Sequence, residues 1–293
     1  MRAAAKPSEL SFAQRATIAL GAMVLLASAA PAAAAGCSFE PQGEGRVAAV
    51  IDARSFRLQD GREVRLAGIE PVSPEQPLSG KPVSEKPVSE KPFLEKPFLK
   101  KPLANRPPAL AAILANREVI LRGDDDTPDR YGRQPAFVFL PPSETLVQDE
   151  LLAQGEALVS ATVADKECAA VLLAAEAAAR EAKRGIWADP SAIKNSESSG
   201  DILAGIGRFT LVEGKVLSVR QAGATTYLNF GRNWTRDFAV TISRRVLPVF
   251  EAAGIIPKSL ENRRIRVRGF VEARGGPRIE LLRVGQIELL GGN

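Results

Sequence analysis

Histidine is absent from the 293 residues, and cysteine, tryptophan and tyrosine each occur only twice. The first absence removes histidine general bases, Ser-His-Asp triads and the usual zinc sites together. Any metal chemistry must then rest on carboxylates and carbonyls, which suit hard ions such as calcium or magnesium. Any acid or base must be Asp, Glu, Lys, Tyr or Cys. Long apolar runs are scarce as well. Past the first 36 residues no segment approaches the roughly 20 apolar residues of a spanning helix, so no stable membrane span is expected.

What is present begins with a leader. Arg2, Lys6 and Arg15 supply positive charge, residues 18–30 are apolar, and residues 31–35 are small. That is the pattern of a signal peptide over residues 1–36, and it predicts an exported protein, periplasmic or secreted. About 257 residues follow, enough for two domains. The two cysteines, Cys37 and Cys168, form an even pair, which an oxidising compartment turns into a disulfide. Two buried free thiols are the other reading. A rival role makes Cys37 the acylated residue of a lipoprotein anchor, after Ala34-Ala35-Gly36.

Charge is distributed unevenly. Residues 206–293 hold 15 Lys+Arg against 7 Asp+Glu, although the whole chain is only +5. A polyanion partner is therefore expected first at the C-terminal part.

Strand patterns open the chain after the leader, at 46–52, 55–59 and 63–69, with Asp60-Gly61 as a hairpin turn. A five-residue repeat then runs from 81 to 105 (KPVSE, KPVSE, KPFLE, KPFLK, KPLAN). Proline at every fifth position rules out a helix or central strand. The insertion 81–108 must project from the surface, reaching on the order of 85 Å if extended at about 3.1 Å per residue. Helices are predicted at 109–116, 146–153 and 167–183, and strands at 118–122 and 136–140. Residues 195–205 are polar and predict a linker. Beyond them come strands at 209–219, 226–230 and 238–242, a helix at 246–253, and strands at 265–272 and 278–282. Three strands, a helix and two strands is the order of an OB barrel. The predicted fold is mainly β with α: two OB-type five-stranded barrels with flanking helices, over 37–194 and 206–293, behind a signal peptide. Glu44-Gly45-Arg46-Val47 is echoed by Glu213-Gly214-Lys215-Val216, which suits two barrels of one kind.

Four motifs stand in order along the first barrel. They are Asp52-Ala53-Arg54-Ser55-Phe56, Val64-Arg65-Leu66-Ala67-Gly68-Ile69-Glu70, Asp129-Arg130-Tyr131-Gly132-Arg133, and the stretch from Ala175-Glu176 through Arg180 to Gly185-Ile186-Trp187. Over residues 45–188 the chain thereby resembles the thermonuclease (staphylococcal-nuclease-like) family, whose corresponding motifs are Asp-Gly-Asp-Thr-Phe, Val-Arg-Leu-x-Gly-Ile-Asp and Asp-Lys/Arg-Tyr-Gly-Arg. The resemblance implies calcium-dependent hydrolysis of DNA or RNA phosphodiesters. It assigns phosphate binding to Arg65 and Arg133, with Tyr131 beside them, and metal binding to Asp52 and Glu70. Guanidinium forks match phosphate oxygens bidentately, so the chemistry works without histidine.

Three departures weaken the acidic half. Arg54 stands where the family has a metal-binding aspartate, and Glu70 replaces another aspartate. Ser73 occupies the position of the water-activating glutamate, a role Glu75 fills if the loop carries a two-residue insertion. In the second barrel Arg264, Arg266 and Arg268 share a strand face by the period of two. With Trp234 nearby they are candidates for tracking phosphates and stacking bases. Two functions follow: a metal-dependent nuclease of reduced activity, or a catalytically inactive module that binds nucleic acid or another polyanion.

Overall fold

The computed structural model describes residues 37, 39–72, 108–124, 127–163 and 165–291. The expected leader (1–36), Glu75 and the repeat at 81–105 lie outside the described residues.

The first barrel is built from β1 (Glu40–Val50), β2 (Ser55–Leu58), β3 (Glu63–Leu66), β5 (Glu118–Gly123) and β6 (Arg133–Leu140), with β4 (Ile69–Pro71) and α1 (Ala109–Leu114) between β3 and β5. Strand order is β3-β2-β1-β5-β6, and a parallel β3–β6 pairing closes the ring. That is the OB connectivity. The alternation buries Phe56, Leu58, Val64, Leu66, Val119 and Leu121 inside and leaves arginines outside. The expected strand 63–69 is two strands. At the break the Ala67 amide donates to the Ala136 carbonyl, and Gly68 takes φ +78, which a side chain would strain. The chain then turns so that β4 pairs with β8 (Ala157–Val159), carrying Glu70 away from the barrel wall.

Beyond β6 come β7 (Thr145–Leu146), α2 (Val147–Gln154) and α3 (Lys166–Glu181). Gln148 on α2 is fully buried, yet it donates to the Ala67 and Ala136 carbonyls and accepts from the Val138 amide. Such full satisfaction lets a buried amide fix the helix against the barrel. Asp165 caps α3 by accepting from the Cys168 amide. Cys168 forms a disulfide with Cys37 across 131 residues of sequence, tying the start of β1 to this helix. A sulfur so engaged is unavailable for the thioether of a lipoprotein anchor.

The second barrel has the same connectivity. Its strands are β10 (Phe209–Lys215) and β11 (Ser218–Ala222), β12 (Thr225–Asn229), β13 (Ala239–Ser243), β14 (Arg264–Ala273) and β15 (Pro277–Leu281), with α5 (Leu247–Ala252) between β13 and β14. The sheet runs β11-β12-β13-β15-β14-β10, with β13–β15 parallel. The expected strand 209–219 breaks at Val216-Leu217 to become β10 and β11. The sequence echo falls at matching places: Gly45 pairs with Val119 in β5, and Gly214 with Ile265 in β14. β9 (Ile193–Asn195) extends the sheet on β10, and β16 (Ile287–Leu289) pairs with β14.

The polar segment 195–205 is not a free tether. It contains α4 (Ser199–Leu203), its Ser196 amide donates to the Glu213 carbonyl, and Ile202 is fully buried in the second core. One apolar anchor outweighs the polar composition that suggested a linker. A third core joins the barrels, in which Leu158, Ala179 and Trp187 pack with Leu211 of β10. Among the described residues no helix is long and apolar enough to cross a membrane.

Candidate functional site

On the first barrel the turn after β1, strand β3 and the turn before β6 bring three arginines together. Arg54 leaves a tight turn in which the Asp52 carboxylate accepts from the Arg54 amide at 2.8 Å. Its carbonyl accepts from the Leu66 amide, which lays the turn beside the end of β3. Arg65 lies within β3, whose next neighbour through the parallel pairing is the start of β6 at Arg133. The charges of Arg54, Arg133 and Asp129 all act on Arg65. Burial, and then the Arg54 guanidinium, holds Arg65 below the usual guanidinium range.

Arg133 is fixed by a carboxylate. Asp129 accepts from Arg133 Nε at 3.0 Å and from a terminal nitrogen at 2.7 Å, and it also takes the Tyr131 and Arg133 amides. That set of donors, the Arg133 side chain foremost, lowers the Asp129 carboxyl to about 2. Tyr131 is 64% exposed at the tip of this turn, with the Arg130 and Arg133 guanidiniums 4.8 and 5.0 Å from its ring centre. Arg65, Arg133 and Tyr131, assigned to substrate from the sequence, are thus gathered on one surface.

The acidic half is organised differently. Glu70 receives the Arg54 guanidinium on Oε2 in a partly buried ion pair, and Arg65 stands 3.6 Å from Oε1. Both oxygens of the residue expected to bind metal therefore face cations. Asp52 has one oxygen engaged in its own turn. Among the described residues no three acidic, cysteine or histidine side chains are grouped to hold an ion. A divalent cation ~4 Å from the Arg54 guanidinium would be repelled by about 8 kcal/mol at an effective dielectric near 20. Asp52 and Glu70 as arranged do not fit calcium. The sequence places Arg54 where the family has a metal-binding aspartate; that its guanidinium occupies Glu70 depends on how β4 turns, which no local pattern reports.

The basic face expected in the second barrel is overturned at Arg266 and Arg268, whose guanidiniums are buried in ion pairs. Arg264, Arg266 and Arg268 do share one face of β14, but along it they run from a largely exposed Arg264 to an Arg268 buried against the first barrel and β16. Arg268 is 1% exposed; its guanidinium holds both oxygens of Glu176 on α3 at 3.0 Å, the Val159 carbonyl, and Glu288 on β16. Arg266 bridges Glu213 at 3.1 Å and Glu288 at 3.0 Å, and Arg264 takes the other oxygen of Glu213 at 2.7 Å. Against burial, which pushes it up, the Arg268 guanidinium beside Glu288 holds that carboxyl below the usual range. Arg268 is thus spent on joining the barrels, and Arg266 and Arg264 on ion pairs within the second. Trp234, in contrast, stands free at 77% exposure.

Comparison with known proteins bears on the first barrel alone. None of the curated proteins searched matches the chain. Residues 63–189 match the family model described as "Staphylococcal nuclease homologue". That span starts at β3 and takes in the Arg65 and Arg133 motifs, α3 and Trp187. Over residues 63–189 the chain is similar to the staphylococcal nuclease homologue family, and β1 and β2, just ahead of that span, close the same barrel.

Proposed function

We propose that the first barrel binds the phosphodiester backbone of DNA or RNA through Arg65 and Arg133, with Tyr131 against a base, and that it does so without calcium-dependent cleavage. The observation that carries this reading is the Arg54 guanidinium seated on Glu70, where a metal would have to bind. Calcium, implied by the family, has no carboxylate pair left to receive it. What remains is phosphate recognition. Arg65 and Arg133 are oriented by Glu70 and Asp129, and Arg65 Nε is buried without a hydrogen-bond partner. A phosphate oxygen is a suitable acceptor for such a donor. The work is assigned to an exported, oxidising compartment, periplasmic or outside the cell; the Cys37–Cys168 disulfide supports that assignment.

The test is to incubate purified protein with plasmid and single-stranded DNA, with and without calcium, and to measure oligonucleotide binding across salt concentrations. We expect salt-dependent binding that Arg65→Ala and Arg133→Ala each weaken, and no cleavage stimulated by calcium. Calcium-dependent turnover abolished by Arg65→Ala would overturn the reading in favour of a working nuclease. That second function is the one the family match favours, with Glu75 as the remaining carboxylate for activating water.

A further inference from the structure

The second barrel owns a surface that the β14 arginines do not touch. Adjacent strands pair Arg220 with Tyr227, Tyr227 with Thr241, and Thr241 with Glu280. The neighbouring row runs Ser218, Asn229, Ala239, Arg278 and Glu272. Directly paired residues share a face. The residues between these rows, Leu228, Val240, Ile279 and Val271, fill the core, so both rows lie on the opposite face; Arg220, Glu272 and Glu280 are exposed there and Tyr227 and Arg278 partly so, while Asn229, Ala239 and Thr241 are buried. This is the sheet surface on which OB barrels receive oligomeric ligands.

At the end of that surface the loop 230–238 holds Trp234 in water. The Arg236 amide donates to the Asn233 carbonyl, making a turn with Trp234 at its second position. The Asp237 carboxylate accepts from the Asn233 amide at 2.8 Å, and the Asn233 side chain accepts from the Thr235 amide and hydroxyl. At Gly231 any β-carbon would fall 2.0 Å from the Asp237 carboxylate, so glycine is required for the loop to close. The turn 274–276 lies against it, the Gly276 α-carbon being so near Arg236 and Asp237 that a β-carbon would stand 2.9 Å from the Asp237 carbonyl. A well-wired loop thus presents a large aromatic ring to solvent, a costly arrangement for a residue without a partner.

The charge around the ring fits an anion. No side-chain ion pair forms at Arg232, Arg236, Arg274 or Arg220 among the described residues. Arg278 meets Glu272 at 3.3 Å, but its Nε is buried without a hydrogen-bond partner. Glu280 is the acid of the adjoining row.

We propose that this face is a second, independent binding site, for single-stranded nucleic acid. Trp234 stacks on a base, and Tyr227 offers a second ring on the sheet. Arg232, Arg236 and Arg274 follow the phosphates. Exposed aromatics interleaved with uncommitted arginines are what base stacking beside a charged strand requires. Duplex DNA hides its base faces, and a sulfated polysaccharide has none, so neither uses the tryptophan.

The test is anisotropy with a labelled oligothymidine of about 20 nucleotides, an equal-length duplex and heparin, using the full chain. Trp234→Ala should weaken the single strand on the order of ten-fold, leave heparin unchanged, and be largely rescued by Trp234→Phe. Arg232→Ala and Arg236→Ala should each lower the salt dependence by about 0.7 in log–log slope. The tryptophan effect should persist when Arg65→Ala and Arg133→Ala disable the first barrel, which separates this site from that one. Equal oligothymidine affinity for wild type and Trp234→Ala, or equal losses for all three polyanions, would overturn the proposal.

Discussion

Arg268 of the second barrel is 1% exposed and holds two glutamates, one from each barrel, whereas Arg65 of the first stands partly exposed in a cluster open to solvent. Both are strand arginines with a period-two neighbourhood, and the sequence made both candidates for phosphate. What separates them lies across from them. β14 is covered by α3 and β16, which bring Glu176 and Glu288 to its arginines; β3 is bordered by turns that bring further arginines. A row of positive residues therefore reports a ligand only where its counter-charges leave the guanidiniums open to solvent instead of enclosing them. The charge asymmetry of +8 in the C-terminal part overstates its appetite for polyanions, because its central row is internally neutralised.

Breaking the buried cluster should have the largest effect. Arg268→Met leaves Glu176 buried with only the Val159 amide and the more distant Arg180 for partners, and should cost about 3–5 kcal/mol of stability. The companion double variant, Arg268→Met with Glu176→Leu, should recover much of that loss. Urea unfolding reads both, and an Arg268→Met protein as stable as wild type would mean that the cluster does not hold the barrels together. The disulfide comes next, because Cys168 sits on the same helix as Glu176. Cys37→Ser with Cys168→Ser should lower stability by roughly 2–4 kcal/mol, measured as the shift of the unfolding midpoint against oxidised wild type. Reducing agent should then change nothing further.

Much of this contrast was legible in the chain, and the illegible part has a physical reason. The two barrels could be read because each strand buries alternate residues between turn signals such as Asp60-Gly61, and this period is local. The motif arginines Arg65 and Arg133 could be placed because the segments that hold them resemble those of the thermonuclease family. The partner of Arg268 could not: Glu176 is 92 residues away and lies on a helix whose docking depends on the shared core of Leu158, Ala179, Trp187 and Leu211. Glu70 was legible as an acid near the site, but its capture by Arg54 follows from the turn at Ala67-Gly68. Ile202 shows the same limit on a smaller scale. One buried side chain turned a linker-like composition into part of a core.

The open cluster can be sharpened by restoring an acid. Arg54→Asp frees Glu70 and adds a carboxylate beside Asp52, replacing a repulsion with an attraction. Calcium affinity, followed by calorimetry, should rise at least ten-fold, about 1.4 kcal/mol, into a range that weak three-carboxylate sites reach. The same substitution at Arg264, whose carboxylate partner Glu213 is shared with Arg266, should yield no calcium binding. A gain at both positions would erase the distinction drawn between the clusters.

The smallest expected effect concerns acid. Asp129 carries a folded-state pKa of about 2, below the ordinary value of roughly 3.9. A depressed carboxyl contributes stability that is fully present above its unfolded value and is lost as pH falls through its folded one. The Asp129–Arg133 pair should therefore hold unchanged from neutrality to about pH 4 and release between about pH 4 and 2. The pair is partly exposed, so its share of global stability is modest and is best seen locally, by following the Asp129 carboxyl carbon by NMR. A midpoint near 3.9 would mean that Arg133 is not held by Asp129 in solution and that the phosphate-facing arginines of the first barrel are oriented only when a ligand arrives. A midpoint near 2 keeps the comparison intact: in the open cluster the carboxylate aims a guanidinium outward, while in the buried one carboxylates enclose it.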